Sequence, residues 1–411
     1  MLYRNLYIEN ADQTSDIRVK DGKFAEIAPN LEPCAGEEVV DFGGKLALPP
    51  FIESHVHLDT CLTAGEPKWN MSGTLFEGIE TWSLRKETLT KEDVKNRVNR
   101  VMRMYAANGI QHIRTHVDVT DPPLVAMEAM LELREELKDV MNIQIVAFPQ
   151  EGIESFPNGR ALMENAVKMG ADVVGAIPHF EFTREYSVSS LNFAMELAEK
   201  YDRLVDVHCD EIDDEASRGL ETLAARAYES GLRDRVTASH TTAMHSYNNA
   251  YVQRLMRLLS MSSINFVANP LVNTHLQGRI DTYPKRRGIT RVKELTAAGI
   301  NVSFGHDDIF DPWYPMGTGA MRDVVFMGLH VCQMMGYEDI RSSYKFIANN
   351  AARTLHLGEK YGIEVGRPAS FIVLDAGNYY DALNTNACVL ASIKDGKKIA
   401  ESVPSVKKAL F

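Results

Sequence analysis

The sequence has 411 residues, of which 45% are hydrophobic and 24% charged, so it is long enough to bury a large core. Lys and Arg number 44 against 56 Asp and Glu, and the formal net charge of −12 disfavours nucleic acid and anionic membranes as partners. The five cysteines form no C-x-x-C pair, and neither a leader-like apolar run nor an apolar stretch of about 18 residues occurs. These features predict a cytoplasmic protein without a membrane span.

The two ends of the chain predict small β-hairpins. Alternating segments flank Asp21-Gly22 near the start and Asp395-Gly396 near the end, and a short apolar strand at 371–374 precedes the second hairpin. An Asp-Gly pair between alternating segments is typical of a two-residue hairpin turn. Because each hairpin alone would be marginally stable, we predict that residues 1–50 and 360–411 pack together as one small β-sandwich side domain.

Between the ends, short apolar strands alternate with longer amphipathic helices. The predicted strands are 46–58, 111–117, 143–148, 173–180, 204–209, 236–240, 264–268 and 302–305, and helices are predicted at 91–107, 123–137, 160–169, 189–200 and 291–298. Eight such repeats predict an α/β protein with a (β/α)8 TIM barrel over residues 51–359. The alternative is an open doubly wound sheet, which would normally carry a glycine-rich phosphate loop, and no such motif occurs.

Polar side chains of catalytic type stand at the ends of most of these strands. His55 and His57 are two residues apart on the first strand and therefore point to the same side. His208, His240 and Asp307 end three other strands, and the carboxyl ends of barrel strands converge on one face. Imidazoles with one carboxylate and no thiolate suit Zn²⁺ or Fe²⁺ better than Mg²⁺ or Ca²⁺. The pattern therefore predicts a metal-dependent barrel.

Two acidic residues are candidates for proton transfer in a hydrolytic reaction. A divalent ion lowers the pKa of its bound water towards 7, and attack on an unsaturated carbon then needs two proton movements. Asp307 is suited to taking the proton of the water, and Glu211, three residues after His208, is suited to protonating the ring nitrogen next to the attacked carbon. His306 is an alternative to Asp307 as the ligand, but a carboxylate can also carry a proton.

The strand-end motifs resemble those of bacterial cytosine deaminases of the amidohydrolase superfamily. The resemblance covers essentially the whole chain. The segments that carry it are 55–60 (HVHLDT), 72–80 (SGTLFEGIE), 147–152 (AFPQEG), 207–211 (VHCDE), 238–242 (ASHTT), 304–308 (FGHDD) and 311–315 (DPWYP).

This resemblance implies a particular metal site. His55, His57, His208 and Asp307 would hold one divalent metal ion per subunit, with Fe²⁺ favoured and Zn²⁺ accepted. His240 would orient the attacking hydroxide instead of binding the metal strongly. Relatives with two metals usually carry a lysine at the end of the fourth strand, which this sequence lacks, so one metal is expected.

The resemblance also implies how a pyrimidine would be bound. Gln150 would pair with the ring carbonyl and N–H, and Glu211 would deliver a proton to N3. Leu75 and Trp313 would line the pocket, with Asp308 near the amino group or the 5-position. The implied activity is deamination of cytosine to uracil and ammonia by a metal-bound hydroxide in pyrimidine salvage. Members of the family are typically homohexamers that use outer helices, and the Met-rich segment 321–335 is a candidate for that contact, with an ordinary core helix as the alternative.

Several alternatives stay open on the sequence alone. The preferred ring could instead be 5-methylcytosine or isoguanine, and a cyclic amidohydrolase is a less favoured second class. A non-catalytic scaffold would not need the proton carriers that the chain retains. The roles of Cys61-Leu62, where the family has more polar residues, and of His116 and His179 at two strand ends are also open.

Overall fold

A computed structural model describes residues 1–406 and 408–410. The strands are β1 (Leu2–Ile8), β2 (Ser15–Lys20), β3 (Lys23–Ala28), β4 (Val39–Leu48), β5 (Phe51–Val56), β6 (Ile110–Asp118), β7 (Asn142–Phe148), β8 (Val173–Ala176), β9 (Leu204–Cys209), β10 (Val236–His240), β11 (Asn265–Ala268), β12 (Val302–Phe304), β13 (Phe371–Leu374), β14 (Val389–Lys394) and β15 (Lys397–Glu401). The helices are α1 (Leu75–Lys86), α2 (Lys91–Ala107), α3 (Val125–Glu136), α4 (Gly159–Met169), α5 (Arg184–Tyr201), α6 (Gly219–Ser230), α7 (Asn249–Ser262), α8 (Pro270–Leu276), α9 (Val292–Ala297), α10 (Met321–Val331), α11 (Tyr337–Ser342), α12 (Asn349–Thr354) and α13 (Tyr379–Asn384).

The predicted (β/α)8 barrel is confirmed. Strands β5 to β12 pair side by side in chain order, and every ladder between neighbours is parallel. The intervening helices cover the outside, so β5, β6 and β8 are buried along their whole length. Burial on both faces explains why β8 is a continuous apolar run (VVGA), whereas β5 and β6 also bury polar side chains that bond inside the barrel.

Two predicted strands differ from the observed ones. The segment 46–58 is not one strand, because β4 ends before Pro49-Pro50 and β5 begins after it. Proline offers no N–H to a ladder, so the chain leaves one sheet at β4 and enters the barrel at β5. The predicted strand 173–180 ends at Ala176, and Pro178–Phe180 forms a short 3-10 turn.

The two chain ends form one seven-stranded sheet in the order β15-β14-β13-β4-β1-β2-β3, hereafter the terminal sheet. Both predicted hairpins are present. The sheet folds over its own apolar core, so that a Cβ on Gly22 would lie 3.1 Å from the Asp395 carbonyl oxygen and one on Gly396 would lie 2.8 Å from Val19. The turns of the two hairpins therefore touch, as a sandwich of the two ends requires.

The terminal sheet is joined to the barrel by direct contacts. Gln111 on β6 donates from its amide to Ser392 Oγ (3.0 Å) and to the Ile393 carbonyl (2.8 Å). The division at residues 50 and 360 remains a prediction. Within the ranges 1–406 and 408–410, no helix combines the length and the apolar character needed to cross a bilayer.

Candidate metal centre and active site

Four side chains converge at the carboxyl end of the barrel, hereafter the four-residue cluster: His55, His57, His208 and Asp307. Their candidate ligand atoms all lie within 4.8 Å of one another, and all four residues are buried. The Nε2 atoms of His57 and His208 are 3.0 Å apart. Asp307 Oδ1 lies 3.3 Å from His55 Nε2 and 3.5 Å from His57 Nε2. The structure thus brings together all four residues predicted to hold the metal.

A chain of buried polar groups orients His55 from inside the barrel. Ser239 Oγ donates to Asp206 Oδ1 (2.6 Å), and the Arg114 guanidinium donates to the other oxygen of Asp206 (2.9 Å). Because Ser239 has used its proton, its oxygen accepts from His55 Nδ1–H at 3.0 Å. This tautomer leaves the lone pair on His55 Nε2, facing the cluster.

The electrostatics of the cluster suit a cation. Burial, with the neighbouring His240, lowers the pKa of His57 to about 3, so its imidazole is neutral and able to bind metal. Burial raises the pKa of Asp307, and a bound cation would oppose that effect. Within the described part of the chain, buried His55 Nε2 has no hydrogen-bond partner. Three neutral imidazoles and one carboxylate therefore fit Zn²⁺ or Fe²⁺.

A second group of ionisable side chains lies next to this cluster. Glu211 Oε1 is 3.1 Å from His240 Nδ1, which is 3.7 Å from Asp307 Oδ2. Burial alone would lower the pKa of His240, but the carboxylates of Glu211 and Asp307 outweigh burial and raise it. The three side chains form a continuous line along which a proton could be held or moved.

Two asparagines that the sequence patterns did not single out support this line. Asn273 Nδ2 lies 2.9 Å from His240 Nδ1 and 3.5 Å from Glu211 Oε1, and Asn269 Nδ2 lies 3.3 Å from the same His240 nitrogen. Both follow β11, a barrel strand to which no site residue was assigned. The signal was present, because Asn269-Pro270 ends that strand and begins α8.

The cluster opens into a small cavity with about 310 Å³ of empty space, its mouth included. The predicted substrate-binding residues Gln150, Asp308, Leu75 and Trp313 all line it. The full lining is His57, Leu75, Gln150, Ile177, His208, Glu211, His240, Leu276, Asp307, Asp308 and Trp313. Ile177 and Leu276 were not predicted, because an isoleucine at a strand end and a leucine in a helix have no chemical signature.

Trp313 is held against the cavity by the start of α1. Its Nε1–H donates to the Leu75 carbonyl (3.2 Å). A Cβ on Gly78 would lie 2.4 Å from the indole ring, so only glycine permits this approach. The segment 72–80 therefore shapes the pocket as well as contributing to its wall.

The remaining predicted residues are also located by the structure. His306 Nδ1 is 2.9 Å from the Asp308 carbonyl oxygen, and His306 is not part of the four-residue cluster, which favours Asp307 as the acidic member. Buried Cys61 donates from Sγ to the Leu58 carbonyl (2.9 Å), and neither it nor Leu62 lines the cavity.

The histidines whose roles stayed open lie close to the site. The His116 ring packs against that of His55 at an interplanar angle of 33°, with centroids 4.0 Å apart, and is buried in the barrel interior. His179 Nδ1 accepts from the backbone N–H of Glu211 at 3.3 Å and so contacts the segment that carries this carboxylate. Both residues support site residues and do not line the cavity.

Comparisons with known proteins agree with this fold. The sequence model of the amidohydrolase family matches residues 38–400. The crystal structure of 5-methylcytosine deaminase from Klebsiella pneumoniae liganded with 5-fluorocytosine is 51% identical, with a TM-score of 0.97, and the match covers 100% of this chain and 99% of that one. N-isopropylammelide isopropyl amidohydrolase of Pseudomonas sp. (strain ADP) is 31% identical over 98% of this chain and 97% of its own. Pterin deaminase of Rhizobium rhizogenes is 26% identical over 96% of this chain and 90% of its own.

Proposed function

The chain belongs to the amidohydrolase family, and we propose that it is a metal-dependent deaminase of cytosine-type rings, with 5-methylcytosine preferred over cytosine. The sequence alone favours cytosine and leaves 5-methylcytosine as an alternative. The order is reversed here because a structure 51% identical to this chain is that of a 5-methylcytosine deaminase. Isoguanine ranks third among the substrates of this proposed activity.

The observation that carries the proposal is the composition of one cavity. Its floor is formed by His57, His208 and Asp307 of the four-residue cluster, and its walls include the amide of Gln150 and the indole of Trp313. An amide offers one donor and one acceptor, which complements the adjacent N–H and carbonyl of a cytosine ring.

The chemistry needs a nucleophile and two proton movements. When bound, Fe²⁺ or Zn²⁺ activates water at neutral pH. Asp307 accepts a proton from the attacking water and passes it to the departing amine, while Glu211 protonates N3 next to the attacked carbon. The new C–O bond replaces the exocyclic bond between the ring carbon and the amino nitrogen, and the proton left on the added oxygen returns to Glu211, so the products are the keto ring and ammonia. His240, which lies between the carboxylates of Glu211 and Asp307, orients the attacking water.

The other walls of the cavity fix the ring in place. Leu75, Ile177 and Leu276 offer apolar contact, and Trp313 offers a flat aromatic surface. Asp308 faces the amino group or the 5-position. Burial and the adjacent acidic groups raise the pKa of Asp308 well above its usual value, which favours a protonated form that donates a hydrogen bond.

A second candidate is hydrolysis of an N-alkylamino group on a triazine ring. It is favoured by the relative from Pseudomonas, which is 31% identical and named for N-isopropylammelide. The bond broken would again join a ring carbon to an amino nitrogen. Cyclic amide hydrolysis is less favoured, because the fourth strand is followed by Ile177, Pro178 and His179 and carries no bridging lysine.

The proposal is tested by a substrate screen. Protein loaded with Fe²⁺ or with Zn²⁺ is incubated with 5-methylcytosine, cytosine, isoguanine, N-isopropylammelide and dihydroorotate, and the products are identified by mass spectrometry. We expect 5-methylcytosine to give thymine and ammonia with the highest kcat/KM. Release of isopropylamine alone would establish the second candidate, and turnover of dihydroorotate alone would overturn the deaminase.

We also propose that the protein is a homo-oligomer, a hexamer by its resemblance, that serves pyrimidine salvage in the cytoplasm. Helix α10 packs Met321, Val325 and Leu329 into the core but leaves Phe326 52% exposed. Met335, after this helix, is 48% exposed. These apolar side chains could form part of a subunit contact, which light scattering of the purified protein would test.

A further inference from the structure

The first and last strands of the barrel meet at an unusual seam. Neighbouring strands from β5 to β12 are joined by ladders, but within residues 1–406 and 408–410 the pairing of β5 with β12 is reduced to one isolated bridge between Val56 and Asp307. In that bridge the His57 N–H donates to the Asp307 carbonyl (2.9 Å), and the Asp307 N–H donates to the His55 carbonyl (2.8 Å). Three members of the four-residue cluster therefore stand on the seam itself.

A buried side chain supplies the contacts that the missing ladder would have provided. Glu53 Oε1 accepts from the His55 N–H on one side of the seam (3.1 Å) and from the His306 N–H on the other (2.9 Å). Its second oxygen accepts from the Tyr105 hydroxyl (3.3 Å). Ser54 adds a further link, because its hydroxyl donates to the Phe304 carbonyl (2.8 Å).

The backbone on the β12 side explains why a regular ladder does not continue. A Cβ on Gly305 would lie 2.9 Å from the His55 carbonyl oxygen, so the two chains approach closely at this point. Asp307 then adopts a φ of 72°, in the left-handed region that non-glycine residues seldom occupy. Such a conformation persists only where the surroundings hold it, and the carboxylate of Glu53 binds the neighbouring N–H.

From this geometry we infer that Glu53 is a positioning residue that closes the seam and sets the spacing between His55 and Asp307, and with it the metal affinity of the site. The inference rests on the proposed metal ligands. Its essential element is an acceptor that bonds two backbone N–H groups at once, one from each strand. Loss of that acceptor would leave both N–H groups buried and unpaired and would free the two strand ends to separate.

The test uses two substitutions at the same position. Glu53→Gln keeps a carbonyl oxygen able to accept both N–H groups, whereas Glu53→Met has similar volume and no such acceptor. Metal affinity is measured on the folded full-length protein by competition with a chromophoric chelator. We expect Glu53→Met to weaken metal binding by roughly 10- to 100-fold and Glu53→Gln to stay close to the wild type. The lost turnover of Glu53→Met should return at saturating metal.

A matched control comes from the terminal sheet. Asp16 is also a buried carboxylate that accepts two backbone N–H groups, from Asn5 and Leu31, each at 2.9 Å. Asp16→Leu should lower the unfolding free energy yet leave metal affinity unchanged. Ser54→Ala is a milder change on the seam and should weaken metal binding in the same direction as Glu53→Met. It takes the place of Glu53→Met in the test if that variant does not fold.

The outcomes separate this inference from the proposed function. Wild-type metal affinity in folded Glu53→Met, or in Ser54→Ala where Glu53→Met does not fold, would overturn the inference alone. Equal losses in Glu53→Met and Asp16→Leu would also overturn it, because they would show a general loss of stability. Equal losses in Glu53→Gln and Glu53→Met would show that the negative charge is what matters, against the inference. A wild-type protein that binds no divalent metal would overturn the proposed function and this inference together.

Discussion

The carboxyl end of the barrel and the terminal sheet each have a buried interior in which a carboxylate binds backbone N–H groups, yet the side chains that fill the two interiors differ. The core of the terminal sheet is aromatic and aliphatic: Phe371 packs on Tyr3 with ring centroids 5.1 Å apart and on Phe24 at 6.0 Å. The barrel end packs imidazoles instead, with His55 lying 4.0 Å from the ring of His116 and 4.6 Å from that of His208.

This difference has an energetic meaning. Burial raises the pKa of Glu53 to about 8 and that of Asp59 to about 7, although both accept backbone hydrogen bonds. Burying ionisable groups is unfavourable unless they are paired or bound to metal. The barrel end thus concentrates ionisable groups whose burial opposes folding, whereas the core of the terminal sheet is apolar and stabilises the fold. Substitutions in the two regions should therefore separate activity from stability.

The largest effect is expected at His55. His55→Ala removes one member of the four-residue cluster, the imidazole that Ser239 orients. We expect loss of most bound metal, measured by elemental analysis, and of nearly all ammonia release. A His55→Ala protein with full activity and normal metal content would show that His55 is needed neither for metal binding nor for turnover.

The next effect is expected at Glu211, which lies beside the cluster but outside it. Glu211→Gln keeps the volume and the contact with Asn273 while removing the proton carrier. Metal content should be normal, and kcat should fall by roughly 10² or more, since proton transfer by a positioned group is worth that much. Single-turnover kinetics would check this, and a near-normal rate would reject the proton role.

A smaller effect is expected at Gln150, on the cavity wall. Gln150→Ala should lower kcat/KM for 5-methylcytosine by roughly 10- to 100-fold, because the ring carbonyl and N–H would lose their partners. Metal affinity should not change. The measurement is steady-state kinetics together with a metal titration. An unchanged kcat/KM would show that Gln150 does not hydrogen-bond to the ring.

The smallest effect on catalysis is expected in the terminal sheet. Phe371→Leu leaves a small cavity beside Phe24 and should lower the unfolding free energy by about 1 to 2 kcal/mol, measured by urea denaturation. Metal content and kcat/KM should equal those of the wild type. A fall in kcat/KM for this variant would show that the two regions are energetically coupled.

Much of the architecture could be predicted from the sequence. Helix α2 was predicted at its observed bounds, and strands β9 and β10 likewise. These elements are specified by neighbours along the chain, through apolar runs of strand length, amphipathic helices and Asp-Gly turns. The convergence of His55, His57, His208 and Asp307 also followed from sequence, because parallel barrel strands present their carboxyl ends on one face.

Other features depended on the tertiary structure. Glu53 is a lone charge inside an apolar strand, and nothing in its neighbours shows that it accepts from His306, 253 residues further along the chain. Asn269-Pro270 marks the end of β11 in the sequence, but the contacts of Asn269 and Asn273 with His240 depend on how α8 packs beside this histidine.

The sequence by itself therefore determined the barrel, the hairpins at both ends and the set of residues offered at the strand ends, because these follow from local periodicity and from the direction of the strands. Only the tertiary structure decided how the barrel closes, which amide each buried carboxylate accepts and which side chains, such as Ile177 and Leu276, face the cavity. Those outcomes depend on the register and separation of strands far apart in sequence, which local patterns do not specify.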